Sequence, residues 1–170
     1  MAYLLFPGRH HVLTEFQRSY LREVLAAPAG SLRDIAGRPL EAAIHTLVWA
    51  VTSANHGGTR RNPLPAHRRE AAIEDFSRDL AGESFVFLID DLGTTPRFAE
   101  YVLRKIEVES RGRLLLTPEN TVLGCSTPAV IAQYEALGFR VLPVELVDRA
   151  AETYQAARPW ELLMQLLETD

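Results

Sequence analysis

The chain has 170 residues, 47% hydrophobic and 24% charged, which is the balance of one soluble globular domain with a substantial core. Its formal net charge of −4 provides no global basic field for nucleic acid or an anionic membrane. The single cysteine, Cys125, excludes an internal disulfide and fits a reducing cytoplasm. No apolar run is long enough for a signal peptide or a membrane span, so we expect a cytoplasmic protein.

Apolar periodicity in the first half of the chain predicts strands alternating with helices. Thr14 is the expected N-cap of a helix, with Gln17 in the capping-box position, and the apolar run 44–51 is typical of a strand buried on both faces. The predicted elements are a strand at 3–6, a helix at 14–26, a loop at 27–41, a strand at 44–51, a loop at 52–64 and a helix at 65–80.

The second half continues this alternation, with Gly82 and Gly138 ending two of the helices. Strands that alternate with helices fold as a parallel sheet with helices on both faces, so a single α/β, Rossmann-like domain is predicted over 1–170. The predicted elements are strands at 84–89, 113–116, 121–124 and 139–143, and helices at 96–109, 128–137 and 150–168.

Three polar loops, 7–14, 52–64 and 90–96, follow predicted strands and are expected to share one rim of the sheet, where ligands bind in such folds. In the first loop, Gly8 permits close approach of a phosphate and Arg9 can neutralise it, while the following helix directs its N-terminus to the same place. An ordinary strand-to-helix turn with an exposed arginine is the alternative.

The second loop and the helix after it hold four arginines in an otherwise acidic chain, which indicates a local anion site or, alternatively, a solvated helix start. The third loop offers Asp90 and Asp91, which can bind Mg²⁺ or ribose hydroxyls, or cap a helix. The five histidines show no metal-ligand spacing, so no protein metal site is predicted. The arginines are Arg60, Arg61, Arg68 and Arg69.

The stretch "GRHHVLTEFQ" aligns without a gap to the motif G-R-F-Q-P-x-H-x-G-H. Gly8 and Arg9 match it, Thr14 and Gln17 stand at its two histidines, and Phe16 stands at its glycine. The chain in this respect resembles the archaeal-type nicotinamide-nucleotide adenylyltransferases of the HxGH nucleotidylyltransferase superfamily.

Other segments keep the same register. The stretch "TSANHGGTRRNPLPAHRR" is similar to a G-S-A-Q motif followed by N-P-F-x-x-x-x-R, and "STPAVIAQYEALGFRV" is similar to the G-N-P-x-V helix of that family. "TYQAAR" corresponds to S-G-T-x-x-R, of which the arginine remains. The positions that match or replace family residues are Ser53, Ala54, Asn62, Arg69, Asp91, Phe98, Ser126, Thr127 and Arg158.

The resemblance implies adenylyl transfer from ATP, with Mg²⁺, to nicotinamide mononucleotide, giving NAD and pyrophosphate. It places Arg9 and the Thr14 helix start on the triphosphate, and the side chains of Thr14 and Gln17 on the α/β-phosphates. Arg69 and Arg158 would stabilise the departing pyrophosphate. The nucleotide-binding set it implies is Gly8, Arg9, Ser53, Ala54, Asn62, Asp91, Phe98, Ser126 and Thr127, with Asp91 and Phe98 facing the second substrate.

Two alternatives stay open at this point. Thr14 and Gln17 carry no positive charge where the motif has histidines, so the chain is also compatible with a nucleotide-binding pseudoenzyme that serves as a sensor or a structural subunit. A transferase with a different mononucleotide or phosphate substrate is the other alternative. A homo-oligomer and a further fused domain are compatible with each of them.

Overall fold

A computed structural model describes residues 2–93 and 95–168 of the chain. Strands and helices alternate, as the sequence predicts. The elements in chain order are β1 (Ala2–Gly8), α1 (Glu15–Ala26), β2 (Ile44–Val51), α2 (Ala66–Ser77), β3 (Glu83–Leu88), α3 (Phe98–Glu109), β4 (Thr121–Cys125), α4 (Pro128–Ala136), β5 (Arg140–Pro143), β6 (Leu146–Asp148), β7 (Thr153–Tyr154) and α5 (Pro159–Glu168).

Strands β1 to β5 form one parallel sheet in the order β3-β2-β1-β4-β5, which confirms the α/β, Rossmann-like prediction. The chain starts at the centre, moves outward to β3, and returns to the other side of β1 to add β4 and β5. The direction of winding therefore reverses between β1 and β4. In open α/β sheets the crevice at such a reversal, at the carboxyl ends of the strands, is where ligands bind.

The apolar run of β2 is explained by helices on both faces of the sheet. Leu47 and Trp49 pack into one core cluster with residues of α1 and α2, whereas Val48 and Ala50 pack into a second cluster with residues of α3 and α4. All four are fully buried. Successive side chains of a strand point to opposite faces, so both parities must be apolar in a covered strand.

Two predicted elements are wrong. The segment 113–116 is irregular and not a strand, although Leu114 and Leu116 are buried and Leu115 is exposed. Residues 150–158 are not helical. The carboxylate of Asp148, at the end of β6, accepts backbone N–H groups of the turn that leads to β7, and β7 pairs with β6. Helix α5 begins only at Pro159, a residue suited to a first helical position.

The remaining boundaries agree with the predictions to within a few residues at each helix end. Gly82 and Gly138 adopt positive φ after α2 and α4, as their predicted role requires. No helix in the described part of the chain is long and apolar enough to cross a membrane.

Candidate functional site

A cavity of about 370 Å³ opens at the carboxyl ends of β1 and β4, which is the point where the winding of the sheet reverses. We call it the switch-point cavity. Its wall is formed by residues 6–12 at the end of β1 and beyond it, by residues 125–127 at the end of β4 and beyond it, and by residues at the starts of α4 and α5. The side chains of Gln17, Thr52, Arg61 and Glu145 complete it. Of the three predicted loops, the first two reach this wall and the third does not.

The turn after β1 is shaped around a buried histidine. His10 has φ +55°, its ring packs 5.2 Å from that of Phe6 and 5.1 Å from that of Trp49, and Nε2 donates to the Phe6 carbonyl at 3.1 Å. Burial lowers the pKa of His10 to about 4, so the imidazole is neutral near pH 7. A side chain at Gly8 would come within 3.1 Å of this ring, so the glycine leaves room for His10.

The N-terminus of α1 has the predicted cap. The Thr14 hydroxyl accepts the Gln17 backbone N–H at 3.0 Å, and Thr14 is buried outside the cavity wall. The Gln17 side chain does not complete the capping box. It extends into the cavity wall, where Nε2 donates to Glu145 Oε1 at 3.1 Å. Phe16 stacks on Tyr20 and packs against the core.

Arg69 is fully buried beneath the loops and does not line the cavity. Its guanidinium donates to the backbone carbonyls of Arg9 at 3.1 Å, Thr52 at 2.9 Å, Ser53 at 2.8 Å and His56 at 3.0 Å. These four bonds hold the loop after β1 to the loop after β2. The pyrophosphate role that the resemblance implies for Arg69 therefore has no support in its position.

Three arginines, Arg9, Arg61 and Arg158, line the cavity, and we call them the arginine mouth. Arg9 donates to the Arg61 carbonyl at 2.8 Å, and burial, together with the nearby Arg61 charge, lowers the pKa of Arg9. Among the described residues, no carboxylate lies within ion-pair distance of Arg9 or Arg61. Arg60 lies in an adjoining depression with Trp160. The positive charges of Arg9 and Arg61 therefore have no acidic partner among the described residues.

Arg158 makes more side-chain contacts than the other two arginines of the mouth. Its guanidinium lies 3.9 Å from the ring centre of Tyr154 and 4.8 Å from that of Trp160, and it pairs with Glu161 at 2.8 Å. This pairing lowers the pKa of Glu161. Arg158 directly precedes α5, whereas the predicted span 150–168 implied a position in the middle of a helix.

The opposite wall is the start of α4. Ser126 and Thr127 line the cavity here, as does Val130 in the first turn. The Thr127 backbone N–H donates to the sulfur of Cys125 at 3.5 Å. Burial raises the pKa of the Cys125 thiol to about 11, which makes it a poor nucleophile near pH 7. This wall therefore presents the N-terminus of α4, which carries a partial positive charge, to a ligand.

The remaining predicted residues lie outside the cavity wall. Asn62 is buried and its Oδ1 accepts from His11 Nε2 at 3.1 Å, which fixes the second loop against the first. Asp91 accepts the Gly93 backbone N–H at 2.8 Å within its own loop, and the N-cap position of the next helix, α3, is Arg97. Phe98 packs on the core at the start of α3.

The other two predicted positions, Ser53 and Ala54, serve the backbone of the second loop. Ser53 has φ +53°, and its carbonyl accepts a hydrogen bond from Arg69. The Ala54 N–H donates to the Ile89 carbonyl at 2.9 Å. The structure thus brings six of the predicted site residues to one cavity, and they are Gly8, Arg9, Gln17, Ser126, Thr127 and Arg158.

Sequence reasoning missed Glu145, a carboxylate in the cavity wall that is only 1% exposed. A signal for it exists, because Glu145 is the one charged residue within the apolar run "VLPVELV". Charged residues are almost never fully buried without a partner. Trp160, which closes one side of the arginine mouth, was also missed.

The fold and the cavity define an α/β, Rossmann-like domain with a basic-mouthed pocket at its switch point. Compared with known proteins, the sequence matches no family model and no curated protein. In the described part of the chain, no group of three or more histidine, cysteine or acidic side chains is placed to hold a metal ion.

Proposed function

We propose that the protein binds a phosphorylated mononucleotide in the switch-point cavity, with its phosphate at the arginine mouth. The observation that carries this proposal is that Arg9, Arg61 and Arg158 line one cavity, the first two without an acidic partner among the described residues. Arginine recognises phosphate through charge-assisted, often bidentate hydrogen bonds. The start of α4 across the cavity adds a helix N-terminus, which also favours an anion.

The remaining wall suits the non-phosphate part of such a ligand. Its volume of about 370 Å³ is near the lower end of the range for small-molecule sites, roughly 300–1,000 Å³, and fits a mononucleotide better than a dinucleotide. Val12, Val130 and Leu163 supply apolar surface, and Trp160 supplies an aromatic face. An apolar pocket with a few placed polar groups is the usual form of a ligand site.

Adenylyl transfer is a second candidate, favoured by the motif arginines that remain in the cavity. In that reaction a phosphate oxygen of the acceptor forms a bond to the α-phosphorus of ATP, and the bond from that phosphorus to pyrophosphate breaks. Arg9 and Arg158 would neutralise the departing pyrophosphate. Gln17 donates to Glu145 and Arg69 donates to backbone carbonyls, so fewer residues than the resemblance implies would stabilise the charge of the phosphates.

Mg²⁺ belongs to this proposal as part of the substrate. Because no cluster of ligating side chains is present in the described residues, the ion would arrive on the phosphates of ATP and keep most of its water ligands. Glu145 is the single carboxylate among the described residues of the cavity wall, and it is 1% exposed.

Thermal denaturation and calorimetry of the whole chain with ATP, NAD and nicotinamide mononucleotide test the binding proposal. A ligand at a hundredfold excess over Kd stabilises the folded state by about 2.7 kcal/mol. Absence of any effect at millimolar concentration contradicts it. Binding accompanied by pyrophosphate release from ATP and nicotinamide mononucleotide supports transfer, and binding without it supports a sensor or structural role.

Arg158→Ala is the variant that tests the mouth. We expect it to weaken binding of a phosphate-bearing ligand by about ten- to a hundredfold, since it removes a charged hydrogen-bond donor. Arg97→Ala is a matched control, because Arg97 also precedes a helix and pairs with an acidic residue three positions on, at 2.8 Å, but lies outside the cavity. Equal binding by the two variants would show that Arg158 only braces α5.

A further inference from the structure

The inner wall of the switch-point cavity holds a buried pair of polar side chains that the proposed phosphate site does not use. Gln17, from the first turn of α1, is 3% exposed, and Glu145, between β5 and β6, is 1% exposed. Both line the cavity, and the Gln17 amide nitrogen donates to one Glu145 oxygen at 3.1 Å. The pair joins elements 128 residues apart in the chain.

The hydrogen bonds of this pair leave acceptors unsatisfied. A carboxylate only accepts, so Nε2 of Gln17 must face Glu145 and Oε1 must face away from it. That Oε1 is buried and has no partner among the described residues. Glu145 Oε2 likewise receives no hydrogen bond from any described residue. Glu145 Oε2 is therefore the acceptor that the pair presents to the cavity, whereas Gln17 Oε1 is buried beyond the reach of a ligand.

An acceptor-rich wall of this kind is costly in an empty protein. A buried carboxylate with one neutral donor is poorly compensated, and buried acceptors are ordinarily paired. No arginine of the mouth lies within ion-pair distance of Glu145. A ligand that brings N–H groups to this wall would supply the missing partners, whereas a ligand that brings a carboxylate or a carbonyl there would add repulsion.

We propose that the ligand of this cavity is bipolar: its phosphate lies at the arginine mouth, and its other end donates N–H hydrogen bonds to Glu145. The phosphate half of this inference rests on the proposed function. The contact with Glu145 predicts a preference between ligands that the phosphate contacts do not predict. Ligands with an amide or amino group on the ring bind more tightly than counterparts with an acid or oxo group at the same position.

Two matched pairs of ligands measure this preference by calorimetry on the full chain. Nicotinamide mononucleotide and nicotinic acid mononucleotide differ only in amide against carboxylate, and guanosine and xanthosine monophosphates differ in a 2-amino against a 2-oxo group. In the pair whose ring the cavity accepts, we expect about ten- to a hundredfold tighter binding of the N–H-bearing member, the range for hydrogen bonds to a charged group.

Glu145→Gln tests the assignment, because it removes the charge and preserves the size of the side chain. We expect the preference to fall to within about threefold, while Glu100→Gln, the same change at an exposed ion pair outside the cavity, leaves it unchanged. Should Glu145→Gln fail to fold, Gln17→Met replaces it, since methionine keeps the chain length and removes the only side-chain donor to Glu145 among the described residues. The carboxylate then depends on the ligand for its N–H partner, so the preference is expected to increase, and an unchanged or weaker preference overturns the assignment.

The outcomes separate the two proposals. If no member of either pair binds the parent protein, the proposed function is overturned and this inference with it. If the ligands bind but the members of each pair bind equally, the bipolar assignment alone is overturned. A preference that survives unchanged in Glu145→Gln, even with a lower melting temperature, also overturns it and leaves the pair as a structural link between α1 and β5.

Discussion

Arg69→Met separates a structural role of this arginine from a role in ligand binding. The side chain is fully buried, and its guanidinium donates to four backbone carbonyls in the loops after β1 and β2. Methionine fills much of the same volume but donates nothing. The variant therefore loses all four bonds at once, and the two loops lose their common anchor.

The size of the effect follows from these four bonds. Hydrogen bonds to a charged donor are worth about 1.5–3 kcal/mol each, but removal of the arginine also relieves the cost of a buried charge. Ser53 is half-buried and His56 is exposed, so water can satisfy part of what is lost. We expect a net loss of about 3–5 kcal/mol in the free energy of unfolding. In a domain of this size that lowers Tm by about 6–20 °C.

Urea denaturation measures this loss, and Arg68→Met is its matched control. Arg68 is the preceding residue of α2, is exposed, and makes no side-chain hydrogen bond or ion pair with a described residue, so its replacement should change stability by less than about 0.5 kcal/mol. If Arg69→Met is as stable as Arg68→Met but loses phosphate binding, the guanidinium serves the ligand and the structural argument is refuted.

Two further expectations concern single positions. Gly82→Ala should destabilise the protein by more than about 1 kcal/mol in urea, because Gly82 has φ +79° and a Cβ there would collide with a β2 carbonyl; Gly112→Ala, with φ +78° and open space, should cost less. Burial alone would raise the pKa of Asp34, but hydrogen bonds from backbone N–H groups and from Arg140 outweigh burial and lower it. The folded pKa of Asp34 lies below its unfolded value of about 4, so this stabilisation is complete above pH 4 and is lost as pH falls through the folded pKa. Melting curves of Asp34→Asn should lack this part of the pH dependence.

The fold was predictable wherever burial and pairing coincide. The run from Ile44 to Val51 has only one assignment, since a strand this apolar must be covered on both faces, and the structure confirms its bounds. The pattern at 113–116 was misleading because alternation reports burial of one face and not pairing with a neighbouring strand. There the two buried leucines cover the core from an irregular segment, and β4 takes the position beside β1.

The site was predictable in its backbone and less so in its side chains. Gly8 and the Thr14 cap follow from local rules, and Arg9 is adjacent to them in the chain. Whether an arginine faces a ligand or a set of carbonyls depends on the loops around it, so the motif position of Arg69 could not reveal its burial. Glu145 was missed because nothing local shows that it meets α1.

Gln17 is the residue at which the resemblance and the structure lead to different expectations. The motif has a histidine here, so the resemblance predicts that Gln17→His returns a charged donor to the phosphates. In this fold, however, the side chain of position 17 faces the buried Glu145 carboxylate, 3.1 Å from the present amide. The new imidazole is expected to pair with Glu145 and not with a ligand phosphate.

The titration of the Gln17→His variant distinguishes these expectations. A neighbouring carboxylate favours the charged imidazole, so we expect its pKa, followed by NMR, to exceed the ordinary value of about 6.5. The stability from this pair would be complete below that value and lost as pH rises through the folded pKa. Because the imidazolium would pair with Glu145 and not with a ligand phosphate, pyrophosphate release should not rise above the parent level. An unshifted pKa together with faster pyrophosphate release would refute the placement of Glu145 as the partner of position 17, and would return that position to the phosphates.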